Sequence, residues 1–254
     1  MSDKLRLDAH DDGVRIVTLN DPEKRNAIGP ELRAGLLEAV ATVANDADSR
    51  VLVVAAEGSA FCAGADLPAV FGDVGAPVGE LRDQLQSYYR SFLGILDLTT
   101  PTIAAVQGPA IGAGLNLALV CDLCFVGPGA RLGATFSRIG LHPGGGCTYF
   151  LTRAVGRQRA LSILLEGQTL DAETAVSYGL ALELVDDPLA RALEVAELLA
   201  SRDPGTLRDI KRAVGLAESD GYSATAEYEA WAQAASAKKP EIQQTVDRFR
   251  SVEE

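Results

Sequence analysis

The residues best suited to chemistry form a glycine-rich turn between a short apolar strand and an apolar helix. The strand is predicted over residues 102–106, the turn reads Gly112-Ala113-Gly114, and the helix is predicted to begin at Leu115. Such a turn points several backbone N–H groups into one small space, with the positive end of the helix behind them. The sequence predicts a cradle for an anion or oxyanion or, alternatively, glycines that only let the helix pack closely on the strand.

This turn does not match the two common nucleotide-binding patterns. It lacks the Gly-Lys-Ser/Thr ending of a Walker loop. The residue three positions after Gly114 is Leu117, whereas a Rossmann fingerprint has a small residue, usually glycine, there. Nucleotide binding of either kind is therefore not expected.

Two of the four cysteines, Cys121 and Cys124, have the C-x-x-C spacing of a redox or zinc site. The segment continues into the apolar pair Phe125-Val126, which is typical of a buried strand, where residues three apart point to opposite faces. His10 and His142 are the only histidines, too few to complete a zinc site readily. We expect buried, reduced cysteines and no metal site.

Composition limits the classes of partner. The chain has 254 residues, 47% of them hydrophobic, which is enough for one large domain or a domain with a small appendage. A formal net charge of −12 argues against nucleic acid or an anionic membrane surface as the main partner. No apolar run reaches the ~18 residues that a spanning helix needs, and the N-terminus lacks a signal-peptide core. We expect a cytoplasmic protein that binds neither nucleic acid nor membranes.

Strands and helices alternate along the first part of the chain. Apolar strands are predicted over 14–19 (half-buried), 51–56, 102–106, 121–126 and 181–185. Helices are predicted over 30–45, around Tyr88 to Leu96, from Cys147, and over 154–165 and 171–178. Residues 68–80 have no clear period and are predicted to form a mobile flap.

The pattern changes to helices alone near the C-terminal end. Four helical stretches are predicted, over 188–201, 204–218, 224–237 and 241–252. We therefore predict an α/β core over residues 1–190 and a helical region over residues 191–254. The helical region either caps the core or mediates assembly.

Three small-residue loops and their flanks resemble the enoyl-CoA hydratase/isomerase family, also called the crotonase superfamily. The matching segments are 19–28 (LNDPEKRNAI), 60–67 (AFCAGADL), 103–123 (IAAVQG to CDL) and 151–156 (LTRAVG). The resemblance implies an α/β spiral of β-β-α units whose C-terminal helices build homotrimers, often paired into hexamers. It also implies an acyl-CoA substrate, with coenzyme A as part of that substrate and no separate cofactor, in fatty-acid or related metabolism.

The family binds the thioester carbonyl through two backbone N–H groups, and the resemblance places Ala63 and Ala113 at these positions. Attack at a thioester, or proton loss beside it, puts negative charge on the carbonyl oxygen. Each fixed donor to that oxygen can contribute about 3–4 kcal/mol to transition-state stabilisation. Small residues at both positions allow the close approach that backbone donors need.

The resemblance also suggests where the nucleotide end of CoA binds. Five residues of the first two loops match this region: Lys24, Arg25, Ala65, Asp66 and Leu67. Basic residues of the C-terminal helices, such as Lys238, Lys239 or Arg248, are further candidates. Alternatively, Lys24 and Arg25 are solvated loop charges without a ligand.

The chain departs from the family pattern at the acid and base positions. Hydratases of the family use two glutamates to activate water and to protonate the α-carbon. This chain has Asn116 and Phe136 there, and Gly144 where dehalogenating relatives have a nucleophilic aspartate. Asparagine orients groups but accepts no proton at neutral pH, and phenylalanine does neither. Hydration or isomerisation by glutamate is therefore not expected.

Other side chains are candidates for the missing chemistry. His142 could act as a base near neutral pH, or be structural. Arg138 could hold a substrate carboxylate, or pair with a surface acid. Tyr89 matches a position where some relatives have a catalytic histidine, or it only packs. Asn116 is the best candidate for an orienting hydrogen bond in the pocket.

Two hypotheses follow from the sequence. The first is an enzyme that binds an acyl-CoA and stabilises a thioester enolate, as a lyase, isomerase, decarboxylase or hydrolase. The second is a non-catalytic acyl-CoA binding or carrier protein that kept the oxyanion cradle and lost the acids.

Overall fold

The computed structural model describes residues 3–10, 12–73 and 75–250. Its strands, in chain order, are β1 (Leu5–Ala9), β2 (Val14–Leu19), β3 (Val51–Ala56), β4 (Thr102–Val106), β5 (Pro109–Ile111), β6 (Leu123–Val126), β7 (Arg131–Gly133), β8 (Thr169–Asp171) and β9 (Glu183–Leu184). One sheet has the order β1-β2-β3-β4-β6-β9, and a smaller one has the order β5-β7-β8. In the larger sheet β1 is antiparallel to β2, and the other neighbours are parallel.

The α-helices are α1 (Pro30–Asn45), α2 (Leu67–Phe71), α3 (Val78–Leu93), α4 (Ala113–Leu119), α5 (Cys147–Glu166), α6 (Ala172–Tyr178), α7 (Pro188–Ala200), α8 (Pro204–Ser219), α9 (Tyr222–Ser236) and α10 (Pro240–Arg250). Helix α1 has the predicted bounds, and Pro30 stands at its start, where a missing N–H costs nothing. Helix α5 contains a break at Gly156, where φ is 74°. The last two residues of the helix predicted over 241–252 lie outside the described residues.

The predicted strands 14–19, 51–56 and 102–106 are confirmed with the same bounds. The prediction that the first is half-buried was wrong. Strand β2 lies between β1 and β3, and five of its six residues are buried. Strand β1 was not predicted. The strands near 121–126 and 181–185 are shorter than expected, covering Leu123–Val126 and Glu183–Leu184.

Apolar side chains cover the larger sheet on both faces. On one face Val53, Ile103 and Phe125 pack with Ala192 and Ala196 of α7. On the other face the sheet packs into a core shared with helices α1, α3, α4 and α5. Burial on both faces explains why β3 and β4 are continuous apolar runs.

The segment predicted as a flap over 68–80 is partly helical. Helix α2 covers Leu67–Phe71, with Asp66 capping it by accepting a hydrogen bond from the Ala69 N–H at 3.3 Å. Helix α3 already begins at Val78. Residue 74 of this segment lies outside the described residues.

The chain forms two compact units that divide between Ser201 and Arg202. Helix α7 belongs to the first unit, so the boundary at residue 190, set from the change in pattern, falls inside that helix. In the second unit α8 packs against α9. Within the described ranges, no helix combines the length and apolarity needed to cross a bilayer.

The four cysteines are buried, as expected, and form no disulfide among the described residues. Burial raises the pKa of the Cys62 and Cys124 thiols to about 12, so both stay protonated. No group of three or more histidine, cysteine, aspartate or glutamate side chains in the described part of the chain could hold a metal ion.

Candidate active site

The glycine-rich turn (residues 112–114) and the second small-residue loop (residues 60–67) lie side by side. Cys62 donates its N–H to the carbonyl of Pro109 at 3.0 Å and accepts from the N–H of Ile111 at 2.9 Å. Gly114 allows this approach, because a Cβ there would lie 2.1 Å from the Cys62 carbonyl oxygen. Glycine is therefore required at position 114 for the glycine-rich turn to pack against Cys62.

The second loop is also paired with the first small-residue loop (residues 19–28). Ile28 donates its N–H to the Gly64 carbonyl at 2.7 Å, and Asp66 donates to the Ile28 carbonyl at 3.3 Å. In this bridge Ile28 bonds to the Gly64 carbonyl and to the Asp66 N–H, which flank Ala65. The N–H of Ala65 therefore points away from Ile28. Ala65 also lines a cavity.

Buried Asn26 fixes the first loop. Its Oδ1 accepts from the Asp21 N–H at 2.7 Å, and its Nδ2 donates to the carbonyls of Glu57 and Ala60 at 2.9 Å. The residue has a left-handed backbone (φ 54°), which asparagine tolerates. The first loop is thereby anchored to the strand end that leads into the second loop.

The structure corrects the assignment of Ala63 as an oxyanion donor. The Ala63 N–H donates to the Arg25 carbonyl at 2.9 Å and is therefore already used. By contrast, the Ala65 and Ala113 N–H groups donate to no other residue in the described parts of the chain. Gly64 lets the second loop lie close to the glycine-rich turn, since a Cβ on Gly64 would lie 3.5 Å from Ala113 N. Ala65 and Ala113 therefore each offer a free N–H beside the cavity, as does Gly64.

Helix α4 begins at Ala113, two residues earlier than predicted. The first N–H groups of a helix have no partner inside it. Gly112 precedes the helix with φ 56° and ψ −114°, a conformation available to glycine. The turn therefore presents the Ala113 N–H outward from the start of α4.

A cavity of about 310 Å³ opens beside these two donors. Its lining is mainly apolar and aromatic. Of the residues predicted to form the site, nine line it: Ala63, Ala65, Leu67, Tyr89, Ala113, Asn116, Phe136, His142 and Gly144. Residues outside the predicted set complete the wall: Gly64, Val70, Phe71, Leu85, Tyr88, Ile111, Gly112, Thr135, Ile139, Leu141 and Pro143.

Asn116 is buried in the cavity wall. Its Nδ2 donates to the Gly144 carbonyl at 2.8 Å. Its Oδ1 is buried and has no hydrogen-bond partner among the described residues. The Asn116 side chain therefore binds the backbone of the loop at Gly144, and its Oδ1 makes no hydrogen bond within the described residues.

His142 lies on the exposed rim of the cavity. Its Nδ1 is 2.7 Å from the Pro143 carbonyl oxygen. A carbonyl only accepts, so Nδ1 carries the hydrogen, and in the neutral ring Nε2 is left as a proton acceptor. This tautomer is the one that a general base at Nε2 requires.

Two tyrosines of α3 line the cavity, and their rings pack edge to face 6.0 Å apart. Burial raises the pKa of Tyr88 well above its ordinary value. Burial also raises the pKa of Tyr89, opposed by a backbone hydrogen bond with Gly145. Both phenols therefore remain protonated at neutral pH. Tyr88 shares a helix face with Leu85 and Phe92, and this spacing could have identified it as a wall residue.

Phe136 packs on the glycine-rich turn, with its Cζ 3.6 Å from where a Cβ on Gly112 would lie. Arg138, two residues further on, is exposed and is not among the residues lining the cavity. Its Cγ lies 2.8 Å from a Cβ position on Gly167, so it packs at the end of α5. A role for Arg138 in holding a substrate group in this cavity is not supported.

The basic residues expected near the CoA nucleotide are not among the residues that line the cavity. Lys24 is exposed, with its Nζ 3.6 Å from Asp66 Oδ2. Arg25 is exposed and has a left-handed backbone (φ 52°). In the second unit, Lys239 is paired with Asp203, and Arg248 donates to Thr245.

Comparisons with known proteins agree on one family. A family model described as enoyl-CoA hydratase/isomerase matches residues 9–253. The chain is 47% identical over 192 residues to "Probable enoyl-CoA hydratase EchA14" of Mycobacterium tuberculosis H37Rv (76% of this chain, 73% of that protein). It is 33% identical over 240 residues to 1,2-epoxyphenylacetyl-CoA isomerase of Escherichia coli K12 (93% and 92%). The crystal structure of an enoyl-CoA hydratase from Bacillus anthracis superposes with a TM-score of 0.88 at 27% identity (98% and 96%).

Proposed function

Since the chain belongs to the enoyl-CoA hydratase/isomerase family and has the crotonase fold of that family, we propose that it binds an acyl-CoA thioester and stabilises its enolate. One observation carries the proposal. The unpaired N–H groups of Ala65 and Ala113 belong to two loops held together by hydrogen bonds, and both residues line one cavity. A thioester oxygen placed between them would accept two hydrogen bonds.

The chemical step follows from where charge develops. Removal of a proton from the carbon next to a thioester moves negative charge onto the carbonyl oxygen. Fixed backbone donors stabilise that charge without reorganising, at about 3–4 kcal/mol each. Ala65 takes the role first assigned to Ala63, because the Ala63 N–H is bonded to Arg25.

His142 is the base in this proposal. Among the described residues that line the cavity there is no carboxylate, and the two tyrosines are protonated at neutral pH. Asn116 cannot accept a proton. The remaining acceptor on the wall is Nε2 of His142, whose tautomer is fixed by Pro143.

A single base favours a particular class of reaction. Hydration by the family's paired carboxylates needs two such groups, which Asn116 and Phe136 replace here. One base that removes and returns a proton is sufficient for isomerisation through an enolate. We therefore propose an isomerase rather than a hydratase. The E. coli relative named as a CoA-ester isomerase supports that class.

The alternative function is an acyl-CoA binding or carrier protein. It is favoured by the exposure of His142 and the lack of any carboxylate in the described cavity wall. In that case the cavity and its two donors would bind a thioester without exchanging its α-proton.

The assembly and the location of CoA are part of the proposal. We propose a homotrimer or a pair of trimers, supported by exposed apolar side chains on the C-terminal helices, including Trp231 and Phe249. The nucleotide end of CoA would lie along Lys24 and Arg25, which are exposed. Coenzyme A enters as part of the substrate, and the protein acts in the cytoplasm.

The test is α-proton exchange in heavy water. The protein is incubated with butyryl-CoA in deuterated buffer, and deuterium at the α-carbon is measured by mass spectrometry. Binding of the same ligand is measured by titration calorimetry. Binding with exchange supports the enzyme, binding without exchange for any acyl chain supports the carrier, and no binding rejects both.

A further inference from the structure

The loop that carries His142 is anchored on both sides of that residue. Before it, Leu141 donates its N–H to the Phe136 carbonyl at 3.1 Å. After it, the Gly144 carbonyl accepts hydrogen bonds from the protein. The N–H of His142 itself donates to no backbone carbonyl within the described ranges. The position of the imidazole therefore depends on the anchors at Leu141 and Gly144.

The anchor at Gly144 comes mainly from a side chain. Asn116 Nδ2 donates to the Gly144 carbonyl at 2.8 Å, whereas the Cys147 N–H donates to the same oxygen at 3.3 Å. Asn116 is 1% exposed, so water does not compete for its hydrogen bond. A flipped amide would bring two oxygens together, which keeps Nδ2 in this orientation. The Asn116 amide is therefore the stronger of the two restraints on Gly144.

The loop is shaped to reach this amide. Gly145 and Gly146 both have left-handed backbones, with φ of 63° and 83°. A Cβ on Gly145 would lie 2.8 Å from Asn116 Nδ2 and 2.8 Å from Phe92 Cζ. Position 145 therefore needs glycine for the loop to approach Asn116.

Helix α4 carries both Asn116 and one of the proposed oxyanion donors. Asn116 follows Ala113 by three residues, and its own N–H closes the first turn of α4 on the Gly112 carbonyl at 3.1 Å. One helical turn thus fixes the separation between the Ala113 N–H and the residue that bears the amide. Since the amide holds the loop after His142, α4 connects the donor to the thioester oxygen with the loop that carries the base.

We propose that Asn116 is a positioning residue, which holds His142 in place through its bond to Gly144. The Pro143 carbonyl lies in the same loop and is 2.7 Å from His142 Nδ1, so a shift of the loop changes both the place and the tautomer of the ring. A displacement of about 1 Å can cost a hundredfold in rate. This inference rests on the proposed function, because it takes His142 as the base.

The first test observes the His142 ring without any substrate. In His10→Gln the only histidine left is His142, so nitrogen-15-labelled histidine gives the NMR signals of one ring. At about pH 9, where an ordinary histidine is neutral, we expect the Nδ1–H tautomer. Asn116→Leu has a similar shape but no donor, and both nitrogen signals should move towards those of free histidine. An Nε2–H ring in His10→Gln, or unchanged signals after Asn116→Leu, would overturn the inference.

The second test compares rate with binding. In Asn116→Leu, exchange of the α-proton of butyryl-CoA should fall about tenfold or more, while the dissociation constant changes less than about threefold. In the His142→Gln background the same substitution should cost no more than about twofold, because a positioning residue acts through the group that it positions. Thr102→Val is the matched control. It removes a buried hydrogen bond to Asp122, neither residue lines the cavity, and exchange should stay near the native rate.

The outcomes separate this inference from the proposed function. Native exchange in Asn116→Leu, or an equal fall in both backgrounds, would overturn the positioning role and leave His142 as the base. If circular dichroism shows that Asn116→Leu is unfolded, Asn116→Ala, which also lacks the donor and adds no bulk, replaces it in both tests. If His142→Gln exchanges at the native rate, the proposed base fails first and this inference fails with it.

Discussion

The hydroxyl of Tyr89 lies directly against Gly144: a Cβ built on Gly144 would be 2.2 Å from Tyr89 Oη and 3.0 Å from its Cζ. Both residues line the cavity. The Tyr89 ring packs against the rings of Tyr88 and Phe92, whose centroids are 6.0 and 6.2 Å away. Glycine at position 144 therefore allows the tyrosine to occupy this place in the wall.

Gly144→Ala should reduce the space for ligand. The added methyl group would clash with Tyr89, and the contacts of that ring with Tyr88 and Phe92 restrict its movement, so we expect Tyr89 to shift into the cavity. We expect the dissociation constant for butyryl-CoA to rise about tenfold, measured by titration calorimetry. Tyr89→Phe removes the atom in closest contact, so the double variant should regain most of the affinity. An equal loss in both backgrounds would show that Tyr89 is not the affected group.

His142→Gln should separate chemistry from binding. Glutamine keeps a polar side chain but accepts no proton, so α-proton exchange should fall at least a hundredfold. The dissociation constant for butyryl-CoA should change less than about threefold, because His142 is at the rim. His10→Gln, which alters the only other histidine, is the matched control. Exchange that survives in His142→Gln would require a different base.

Hydration of crotonyl-CoA should be very slow. Asn116 and Phe136 replace both groups that transfer protons in the family's hydratases, and Asn116 is fixed by its bond to Gly144. The assay follows loss of enoyl absorbance, with an ordinary hydratase of the family run alongside. Turnover near that of the reference enzyme would refute the claim that the paired mechanism is absent.

The second unit should lose stability in acid. Hydrogen bonds from Lys239 and Thr206 lower the pKa of Asp203 to about 2, from an ordinary value of 3.8. The folded pKa is below the unfolded one, so this contribution is complete above about pH 4 and is lost as the pH falls towards 2. Asp203→Asn keeps the cap of α8 but not the ion pair.

Urea unfolding at pH 7 and pH 3 measures this contribution. The signal is fluorescence of Trp231, the only tryptophan, which lies in the second unit. The native protein should lose more stability than Asp203→Asn between the two pH values, by no more than about 1 kcal/mol because the pair is largely exposed. The same pH dependence in both proteins would contradict the assignment.

Elements with strong periodicity were predictable from sequence. The continuous apolar runs of β3 and β4 and the apolar stripe of α1 gave correct bounds. Strand β1 was missed because it is an edge strand, with only Leu5 fully buried. The polar residues of β2 suggested exposure, but Arg15 is buried and pairs with Asp46 at 2.7 Å, a contact that only the tertiary structure provides.

The residues whose side chains line the cavity could be predicted from the sequence. The backbone N–H groups that are free to bind a ligand could not, because they depend on the direction of hydrogen bonds between loops. Ala113, Asn116, Phe136 and Gly144, which the resemblance suggested, and His142, a candidate from its residue type, all line the cavity. The choice between Ala63 and Ala65 depends on how two loops pair across space. In an extended segment, successive N–H groups alternate between the two sides.

Gly64 sets the N–H groups of Ala63 and Ala65 in different directions. Its φ of 101° interrupts the regular alternation of N–H directions between Ala63 and Ala65. As a result the Ala63 N–H donates to the first loop, whereas the Ala65 N–H points away from that loop. Residue types alone do not encode that reversal.

The most direct test of the account is α-proton exchange of butyryl-CoA by Ala113→Pro. Ala113 is the first residue of α4, where proline is tolerated, so the substitution removes one N–H and leaves the helix in place. Ala113→Gly, which retains the N–H, is the matched control. We predict that exchange falls about a hundredfold or more in Ala113→Pro and stays near the native rate in Ala113→Gly, with both variants folded by circular dichroism. Native exchange in Ala113→Pro would contradict the oxyanion role on which the proposal depends.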